Sequence, residues 1–596
     1  MTEEVKPNEE YAYLDRGGFS SEKHKIELRG LPKFYGIAEL KKLMNQKLGL
    51  SVSKIKRQKF GNHWLYACFQ NDEERNKAIT ALNGYEWKGK KLIAEVAKPA
   101  PDPLVKRKQE SNGNDKNSKR QKTVVDETKS QEERLKDAVI PYWNLAYEEQ
   151  LILKAKEIKD ILMKFDNELW KIDKQKRSTI EGNRKLYDGL NFELKPIEKS
   201  PVTEGYRNKC EFTIGIDEET KKPTVGFRLG CYWAGSVAVA PVQGLKHIPE
   251  NMKKAVLVFQ EFIRKSNLAP YSPVDYSGYW KCLTVRQSTV NGDIMLIIAM
   301  DPQTLSSDEV EKLKQELNEY FSLEESAACG IKSVYLHFVA KRRAGEEPAK
   351  PIHVLGSSHI TDTILGRQFR ISPEAFFQIN TAGAEILYQK AIDLSRVDQG
   401  STLIDVCCGT GTIGLCFAKH CGQVLGLELI EKAVEDARAN ALLNNIENCE
   451  FYAGKAEYTL PAVLARASSD DVIAIVDPPR AGLHMSAITT LRNNKKVKRL
   501  IYISCSPASV TKNFVDLSRA SSKTLHGAPF VPICAIPVDM FPHTKHVELI
   551  VLFEREHESS NEVDGKKENA DGKKENADAK VTQSDGTEMT ESATEA

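Results

Sequence analysis

The stretch RLIYISCSPASVTK, residues 499–512, decides how the C-terminal part of this chain folds. Residues 500–504 are apolar and β-branched, which predicts a short buried strand. Ser506 suits an N-cap and Pro507 suits the first helical position, so a helix is predicted to begin there. Cys505 would lie between strand end and helix start, where the partial positive charge of the helix favours a thiolate. The pattern indicates a nucleophilic sulfur, with a small buried core cysteine as the alternative.

A second strand–turn–helix pattern lies upstream in STLIDVCCGTGTIGLCFA, residues 401–418. Gly409 and Gly411 let the backbone bend tightly and approach a ligand. Asp405 lies near the end of the preceding strand, and with Gly409 and Gly411 it is predicted to bind the cofactor. The next strand, QVLGLEL, carries Glu428 at the distance where an acidic residue typically binds ribose hydroxyls. The pattern fits a dinucleotide or S-adenosylmethionine; because the GxGxxG spacing is not kept, it favours S-adenosylmethionine.

Several polar residues are predicted to meet at one edge of a doubly wound sheet. The apolar run VIAIV ends at Asp477, and ligands in such sheets lie at the carboxyl ends of the strands. Residues 547–553 form a further strand that follows a turn, so it is predicted to run antiparallel. Glu548, near its start, would then lie beside Cys505. A surface charge at a strand end is the alternative interpretation of Glu548.

A thiolate, a carboxylate and a methyl donor together suit methylation of a pyrimidine at C5. That carbon is a poor nucleophile until a thiolate adds at C6 and turns the ring into an enolate. After C5 has taken the methyl group, a base must remove the C5 proton so that the thiolate can leave. The predicted pair at the sheet edge supplies both groups.

Five stretches resemble the 5-methyluridine RNA methyltransferase family: FFQIN (residues 376–380), DVCCGTGTIG, IVDPPRAG, YISCSP and DMFPHTKHVE. The resemblance implies an α/β fold with a Rossmann-like class I methyltransferase domain, with Cys505 as nucleophile and Glu548 as proton acceptor. It implies that Gln378, Glu428 and Asp477 bind S-adenosylmethionine or lie between it and the uracil. The implied substrate is the T-loop uridine of tRNA, position 54, a stacked base that must be flipped out to react. Whether mRNA is also a substrate is left open.

The pattern of residues 24–99 is strand, helix, strand, strand, helix, strand, which resembles an RNA-recognition motif. In that family, aromatic side chains on the third strand stack on bases. Trp64 and Tyr66 alternate with Leu65, so they are predicted to share one face and to bind RNA. The first strand carries Glu27 where the family has an aromatic residue, so a protein-binding role is the alternative.

The chain is predicted to divide into seven segments: a flexible arm (1–20), the RNA-recognition motif (21–100), a disordered basic linker (101–135), a helical brace (136–199), a β-rich RNA-binding domain (200–370), the methyltransferase domain (371–555) and a disordered tail (556–596). The basic clusters 106–108 and 119–122 suit a nuclear-import signal or a phosphate-binding arm, with solvated charge as the alternative. Arg207, Lys209 and the run 341–343 in the β-rich domain are predicted phosphate contacts, with exposed solubilising charge as the alternative.

Composition narrows the class of protein. The chain has 596 residues, 41% of them hydrophobic, and a net charge of +2, so a nucleic-acid surface must be local. None of its twelve cysteines forms a CxxC pair, so no metal site or iron–sulfur cluster is expected. Free cysteines and the acidic start MTEEVKPNEE predict a cytosolic protein, with the nucleus as a second compartment. No apolar run reaches the roughly 18 residues of a membrane helix. A monomer is expected.

Three other functions compete with the uridine methyltransferase. An RNA cytosine-5-methyltransferase would use Cys505 similarly, but that family has a second cysteine where this chain has Pro479. A methyltransferase acting on amino groups would have an aromatic residue in place of Arg480 and needs no thiolate. A non-catalytic tRNA-binding chaperone could keep the same fold.

Overall fold

The structure is a computed structural model that describes residues 22–32, 35–57, 64–99, 129–229, 237–274, 276–324, 328–339 and 349–555. The predicted arm, the two basic clusters, the run 341–343 and the predicted tail lie outside these residues. Within the described ranges, no helix is both long and apolar enough to cross a membrane.

The N-terminal elements form a four-stranded antiparallel sheet, ordered β2-β3-β1-β6, with a small hairpin. Period-two alternation places Ile26, Leu28 and Leu65 in one core with Leu40 and Leu82 of the helices. In chain order the elements are β1 (Lys25–Arg29), α1 (Ile37–Lys42), β2 (Lys54–Arg57), β3 (Leu65–Cys68), α2 (Asp72–Leu82), β4 (Glu86–Trp87), β5 (Lys90–Lys91) and β6 (Ile93–Val96).

Three helices follow: α3 (Gln131–Val139), α4 (Tyr147–Ile172) and α5 (Arg177–Leu186), then the short strand β7 (Glu193–Leu194). Helix α3 begins inside the segment predicted to be a disordered linker, because Ser130 and Glu133 form a capping box. The amphipathic helix predicted over 151–172 is confirmed as α4. Three of its residues differ from the prediction, since Ile152 and Leu153 are 69% and 43% exposed and Lys154 is buried.

The central region is a seven-stranded sheet, ordered β10-β9-β8-β11-β12-β13-β14, in which only the β12–β13 pair is parallel. The two long helices of this region pack against one face of the sheet and form a hydrophobic core around Phe212, Phe259 and Leu296. The elements are β8 (Lys209–Ile216), β9 (Pro223–Arg228), β10 (Val239–Pro241), α6 (Glu250–Lys265), β11 (Trp280–Gln287), β12 (Ile294–Met300), α7 (Ser307–Phe321), β13 (Ile331–Phe338) and β14 (Ile352–Gly356).

The C-terminal region is a hairpin followed by alternating helices and strands. Its elements are β15 (Ile360–Ile364), β16 (Arg367–Ile371), α8 (Thr381–Ser395), β17 (Thr402–Val406), α9 (Thr412–Phe417), β18 (Gln423–Glu428), α10 (Glu431–Leu443), β19 (Cys449–Ala453), α11 (Ala456–Ala465), β20 (Val472–Val476), α12 (Met485–Asn493), β21 (Val497–Ser504), α13 (Pro507–Ser518), β22 (Phe530–Val538) and β23 (Glu548–Arg555).

Strands β17 to β23, together with β7, form an eight-stranded sheet, ordered β19-β18-β17-β20-β21-β23-β22-β7. The five strands from β19 to β21 are parallel, and β23 runs antiparallel to β21, as predicted. The chain first adds strands on one side of β17 and then on the other, so β17 and β20 flank the topological switch point. The predicted α/β Rossmann-like fold is confirmed, and its ligand edge is the one at the carboxyl ends of β17 and β20.

Candidate active site

Cys505 lies in the two-residue turn between β21 and α13, as the sequence predicts. Ser506 takes the N-cap position, but its side chain makes no capping bond to the helix. Its hydroxyl instead lies 2.7 Å from the hydroxyl of Ser509. The sulfur is partly exposed at the ligand edge of the sheet.

Glu548 lies directly across from Cys505. The last registered pair of β21 and β23 joins Ser504 to Leu549, so the next residues in register are Cys505 and Glu548. Opposed residues of antiparallel strands have Cα atoms about 4.5–5.5 Å apart. Glu548 is 3% exposed, and its Oε2 has no hydrogen-bond partner among the described residues. The structure thus places Glu548 near Cys505, and the catalytic roles of the two residues stay predictions.

The loop after β20 brings Asp477 and Arg480 to the same edge. Asn513 of α13 fixes this loop, since its Oδ1 accepts from the Leu483 N–H at 2.6 Å and its Nδ2 donates to the Leu483 carbonyl at 3.2 Å. The Arg480 guanidinium lies close enough to Cys505 to lower the pKa of its thiol. In the sequence, Arg480 serves only to exclude another enzyme class, so this role is new.

The electrostatics at Cys505 differ from the prediction. Burial raises the pKa of the Cys505 thiol, the carboxylates of Glu548 and Asp477 raise it further, and Arg480 lowers it. The expectation that the helix start favours a thiolate is therefore wrong for the free protein. Desolvation and two acidic neighbours outweigh the helix end.

The two carboxyl groups also hold their protons more tightly than usual. Burial raises the pKa of Asp477 to about 7. Burial, together with the charge of Asp477, raises the pKa of Glu548 well above its ordinary value, and Arg480 opposes this only in part. Glu548 is buried and Asp477 is half-buried, and two desolvated carboxyl groups close together do not readily ionise at the same time. Once ionised, a carboxylate with such a raised pKa is a stronger base.

The glycine-rich loop after β17 takes the shape predicted for it. Gly409 and Gly411 adopt positive φ angles of 55° and 78°, which only glycine reaches without strain. Glu428 holds the loop from the end of β18. Its Oε2 accepts from the Gly409 N–H at 3.1 Å, and its Oε1 accepts from the Ile430 N–H at 3.0 Å.

Asp405 lies beneath this loop and is fully buried. Its Oδ2 accepts from the Gly414 N–H at 2.8 Å, and its Oδ1 has no partner among the described residues. Burial raises its pKa to about 7. Asp405 therefore supports the start of α9, and the direct ligand contact predicted for it stays a prediction.

Gln378 lies on the segment before α8 and is 6% exposed. Its carbonyl accepts from the side chain of Asn208 at 2.8 Å, and its side chain lies near the hydroxyl of the buried Tyr388. Asn380 ties the segment to the chain before Glu548, because its Nδ2 donates to the Met540 carbonyl at 3.0 Å. The segment that carries Gln378 is thus hydrogen-bonded to the chain that leads into Glu548.

Helix α4 forms a wall of the cleft at Cys505, a role beyond the brace predicted from its periodicity. The cleft has a volume of about 100 Å³, and Lys154, Glu157 and His546 line it. The buried Lys154 ammonium donates to Asp539 Oδ1 at 2.6 Å, and the Tyr147 hydroxyl donates to Oδ2 at 3.0 Å. This ion pair fixes the loop that leads into Glu548.

Replacing Lys154 by methionine is expected to lower the free energy of unfolding by about 3–5 kcal/mol, because Asp539 would stay buried without its cation. Urea denaturation followed by tryptophan fluorescence measures the change. The exposed Lys156 on the same helix is the matched control, and Lys156→Met should change stability by less than about 0.5 kcal/mol. Equal losses in the two variants would contradict a special role for the buried pair.

The predicted RNA contacts lie on the two other sheets. Trp64 and Tyr66 share one face of the N-terminal sheet and meet edge to face, with ring centroids 5.0 Å apart. Lys25 already covers Tyr66, its Nζ 4.4 Å from the ring centroid. Arg207 and Lys209 lie at the start of β8, next to Asn208 and hence beside the Gln378 segment.

Comparison with known proteins identifies the family to which this chain is similar. Residues 359–556 match the family model described as tRNA (Uracil-5-)-methyltransferase. The chain is 39% identical to tRNA (uracil-5-)-methyltransferase homolog A of Mus musculus, over 93% of this chain and 88% of that protein. It is 41% identical to homolog B of Danio rerio, over 74% of this chain and 91% of that protein. The chain belongs to the tRNA (uracil-5-)-methyltransferase family.

A solved tRNA (uracil-54, C5)-methyltransferase of Pyrococcus abyssi, in complex with S-adenosyl-L-homocysteine, is 23% identical over 69% of this chain and 84% of that chain, with a TM-score of 0.49. The family assignment rests on the sequence relatives. The part of the chain that matches the family model contains all eight of the predicted catalytic and cofactor-binding residues: Gln378, Asp405, Gly409, Gly411, Glu428, Asp477, Cys505 and Glu548.

The residues at the ligand edge fit the methyl donor of this methyltransferase family, S-adenosylmethionine. The space above Gly409 is open, since a Cβ there would meet nothing within 4 Å. Phe376, Leu429 and Ile430 leave apolar side chains 61%, 57% and 56% exposed around the glycine loop. Apolar side chains and a few placed polar groups are what a cofactor site needs. In the described part of the chain, no group of three or more His, Cys, Asp or Glu side chains could hold a metal ion.

Proposed function

We propose that this protein is an S-adenosylmethionine-dependent tRNA methyltransferase that forms 5-methyluridine through a covalent adduct with Cys505. The observation that carries the proposal is the register of β21 and β23, which sets Cys505 opposite the buried Glu548. A sulfur nucleophile and a carboxylate base on the same edge are what C5 methylation requires. The family assignment supports the choice of uridine in tRNA.

In the proposed reaction, Cys505 gives its proton to water and its sulfur forms a bond to C6 of the uracil. The electrons of the C5–C6 double bond move into an enolate, which makes C5 nucleophilic. S-adenosylmethionine would supply an electrophilic methyl group and leave as S-adenosylhomocysteine when C5 forms its bond to the methyl carbon. The Glu548 carboxylate then removes the proton from C5. The C5–C6 double bond returns, and the bond between C6 and sulfur breaks to release the thiolate.

The raised pKa of the Cys505 thiol makes Arg480 a positioning residue for the first step. The positive charge of its guanidinium favours the thiolate, whereas the charges of Glu548 and Asp477 oppose it. The raised pKa of Glu548 suits the later step, because a carboxylate that binds protons tightly is the better base for a carbon acid. The buried site thus makes the Cys505 thiolate harder to form and makes the Glu548 carboxylate a stronger base.

Arg480→Met is expected to raise the pKa of Cys505 and slow methyl transfer at neutral pH, about tenfold for each unit by which the thiol pKa rises. The rate should increase with pH in both proteins as the thiolate forms, and the rising limb should lie at higher pH in the variant. Single-turnover methyl transfer from about pH 6 to pH 10 measures this. Arg480→Lys should fall between the two. Superimposable profiles of Arg480→Met and the unaltered protein would contradict a role for Arg480.

The proposal extends to RNA recognition. The order and connections of the N-terminal sheet suit an RNA-recognition motif, and Trp64 and Tyr66 would stack on bases there. A base stacking on Tyr66 would have to displace the Lys25 ammonium. Arg207 and Lys209 would contact phosphates near the reacting uridine. The target would be the T-loop uridine at position 54, flipped out of the stack; activity on mRNA, a monomeric state and a cytosolic location stay predictions.

Mass spectrometry of nucleosides tests this proposal. A tRNA transcript treated with the pure protein and S-adenosylmethionine should yield 5-methyluridine, and a transcript with cytidine at position 54 should yield no product. Formation of 5-methylcytidine would favour the cytosine-5-methyltransferase instead. Tight tRNA binding with no methylated nucleoside would favour the non-catalytic chaperone.

A further inference from the structure

Three cationic side chains meet where the central sheet reaches the Gln378 segment, and we call Arg207, Lys209 and Arg286 the cation corner. Lys209 of β8 and Arg286 of β11 are directly opposed across the strands. Arg207 lies two residues before Lys209, and its Nε donates to the Lys209 carbonyl at 2.8 Å. Like charges directly opposite one another in a sheet are destabilising, so this placement needs a compensating partner.

None of the three forms an ion pair with a carboxylate within the described ranges. Arg286 is 2% exposed and donates through Nη2 to the Ala375 carbonyl, while its Nε has no partner among the described residues. Glu211, two residues further along β8, is an exposed carboxylate whose charge acts on Lys209 without forming an ion pair. A buried guanidinium without a counter-ion is rare, since buried charges are normally paired.

Burial and the neighbouring positive charges of the cation corner lower the pKa of Lys209. Burial lowers the pKa of its ammonium to about 8, and the charges of Arg286 and Arg207 contribute to this lowering, against the opposing effect of Glu211. Burial lowers the pKa of Arg286 to about 10. An anion bound at this place would relieve the repulsion and favour the charged form of Lys209.

The corner also lies beside residues proposed to bind the methyl donor and the base. Arg286 reaches the carbonyl of Ala375, next to the exposed Phe376. Between Arg207 and Lys209, Asn208 donates to the Gln378 carbonyl at 2.8 Å. Arg207 further lines a cleft of about 220 Å³, and Lys209 is half-buried, whereas Arg286 is buried.

We propose that the cation corner binds a phosphodiester of the substrate RNA that flanks the target uridine, with Lys209 as the contacting group and Arg286 as its buried support. This inference rests on the proposed function, because it places an RNA backbone at the entrance to the active site. Guanidinium and ammonium groups are the usual phosphate ligands. The sequence does not mark Arg286 as a functional residue, because it is one of several polar residues in a strand of alternating polarity.

Lys209→Met keeps the length of the side chain and removes its charge. We expect binding of the tRNA to weaken about tenfold, and the slope of log K against log salt to become shallower by about 1. The thermal midpoint should stay unchanged or rise, because a like-charge repulsion is removed. The exposed Lys332 of β13 is the matched control, and Lys332→Met should bind as the unaltered protein does. Equal binding by both variants, or a lower midpoint for Lys209→Met alone, would overturn the proposal.

A scan of the RNA locates the phosphate. Single methylphosphonates, each removing one backbone charge, are placed at the phosphates around the target uridine of a T-arm stem-loop. At one flanking phosphate the loss of charge should weaken binding to the unaltered protein and leave binding to Lys209→Met unaffected. Additive losses at every position would overturn the proposal. Methyl transfer by the unaltered protein to the unmodified stem-loop is measured alongside, so that its absence would count against the proposed function and not against the phosphate site.

Discussion

Cys505→Ala is expected to lower methyl transfer by about 10⁴-fold or more, because removal of a covalent nucleophile leaves only binding and orientation. Uracil C5 cannot attack a methyl group at a useful rate unless C6 carries the sulfur. The variant should still bind tRNA within about threefold, since Cys505 lies at the end of β21 and supports no buried cluster. Transfer of radiolabelled methyl groups measures the rate, and filter binding measures the affinity.

Cys449 provides the matched control for this experiment. It is likewise a half-buried cysteine of the same sheet, on β19, away from the ligand edge formed by β17 and β20. Cys449→Ala should keep most of the activity. Full activity in Cys505→Ala would remove the nucleophile assignment, and equal losses in the two variants would point to a general effect on folding.

Glu548→Gln is expected to trap a covalent complex of protein and RNA. An amide of the same size cannot take the C5 proton, so sulfur addition and methyl transfer proceed and the elimination stalls. The burial of Glu548 helps the trap, because little water reaches the C5 proton. On a denaturing gel, most of the RNA should migrate with the protein, whereas the unaltered protein should give only a faint adduct band.

Two further variants make the trapping experiment decisive. The double variant Cys505→Ala with Glu548→Gln should give no adduct. Glu554→Gln changes a carboxylate at the far end of β23, where the side chain pairs with Arg396, and should behave as the unaltered protein does. An active Glu548→Gln protein with free RNA only would show that another group removes the proton.

The core geometry of the site could be predicted because it depends on strand order and register. The run ending at Ser504 predicts a buried strand, and an antiparallel partner must start at the edge where β21 ends. Glu548 follows the turn that precedes this partner, so its place beside Cys505 needs no knowledge of side-chain packing. The positions of the glycine loop and of Glu428 could be predicted from the sequence for the same reason.

The electrostatics could not be predicted in this way. The helix start after Cys505 is visible in the sequence, but the burial of Asp477 and Glu548 depends on how the surrounding loops close. Helical periodicity places Lys154 on the outer side of an amphipathic helix, whereas it pairs with Asp539, 385 residues later in the chain. A polar residue that is buried against a distant loop leaves no periodic signal, so only the folded structure reveals it.

Peptide mapping of the trapped complex is the sharpest test of covalent catalysis by Cys505. The Glu548→Gln complex is digested with protease and ribonuclease, and the cross-linked peptide is sequenced by mass spectrometry. We expect a single modified peptide, with a methylated uridine nucleotide attached to Cys505. Attachment to any other residue, or an attached uridine without its methyl group, would refute the proposed mechanism.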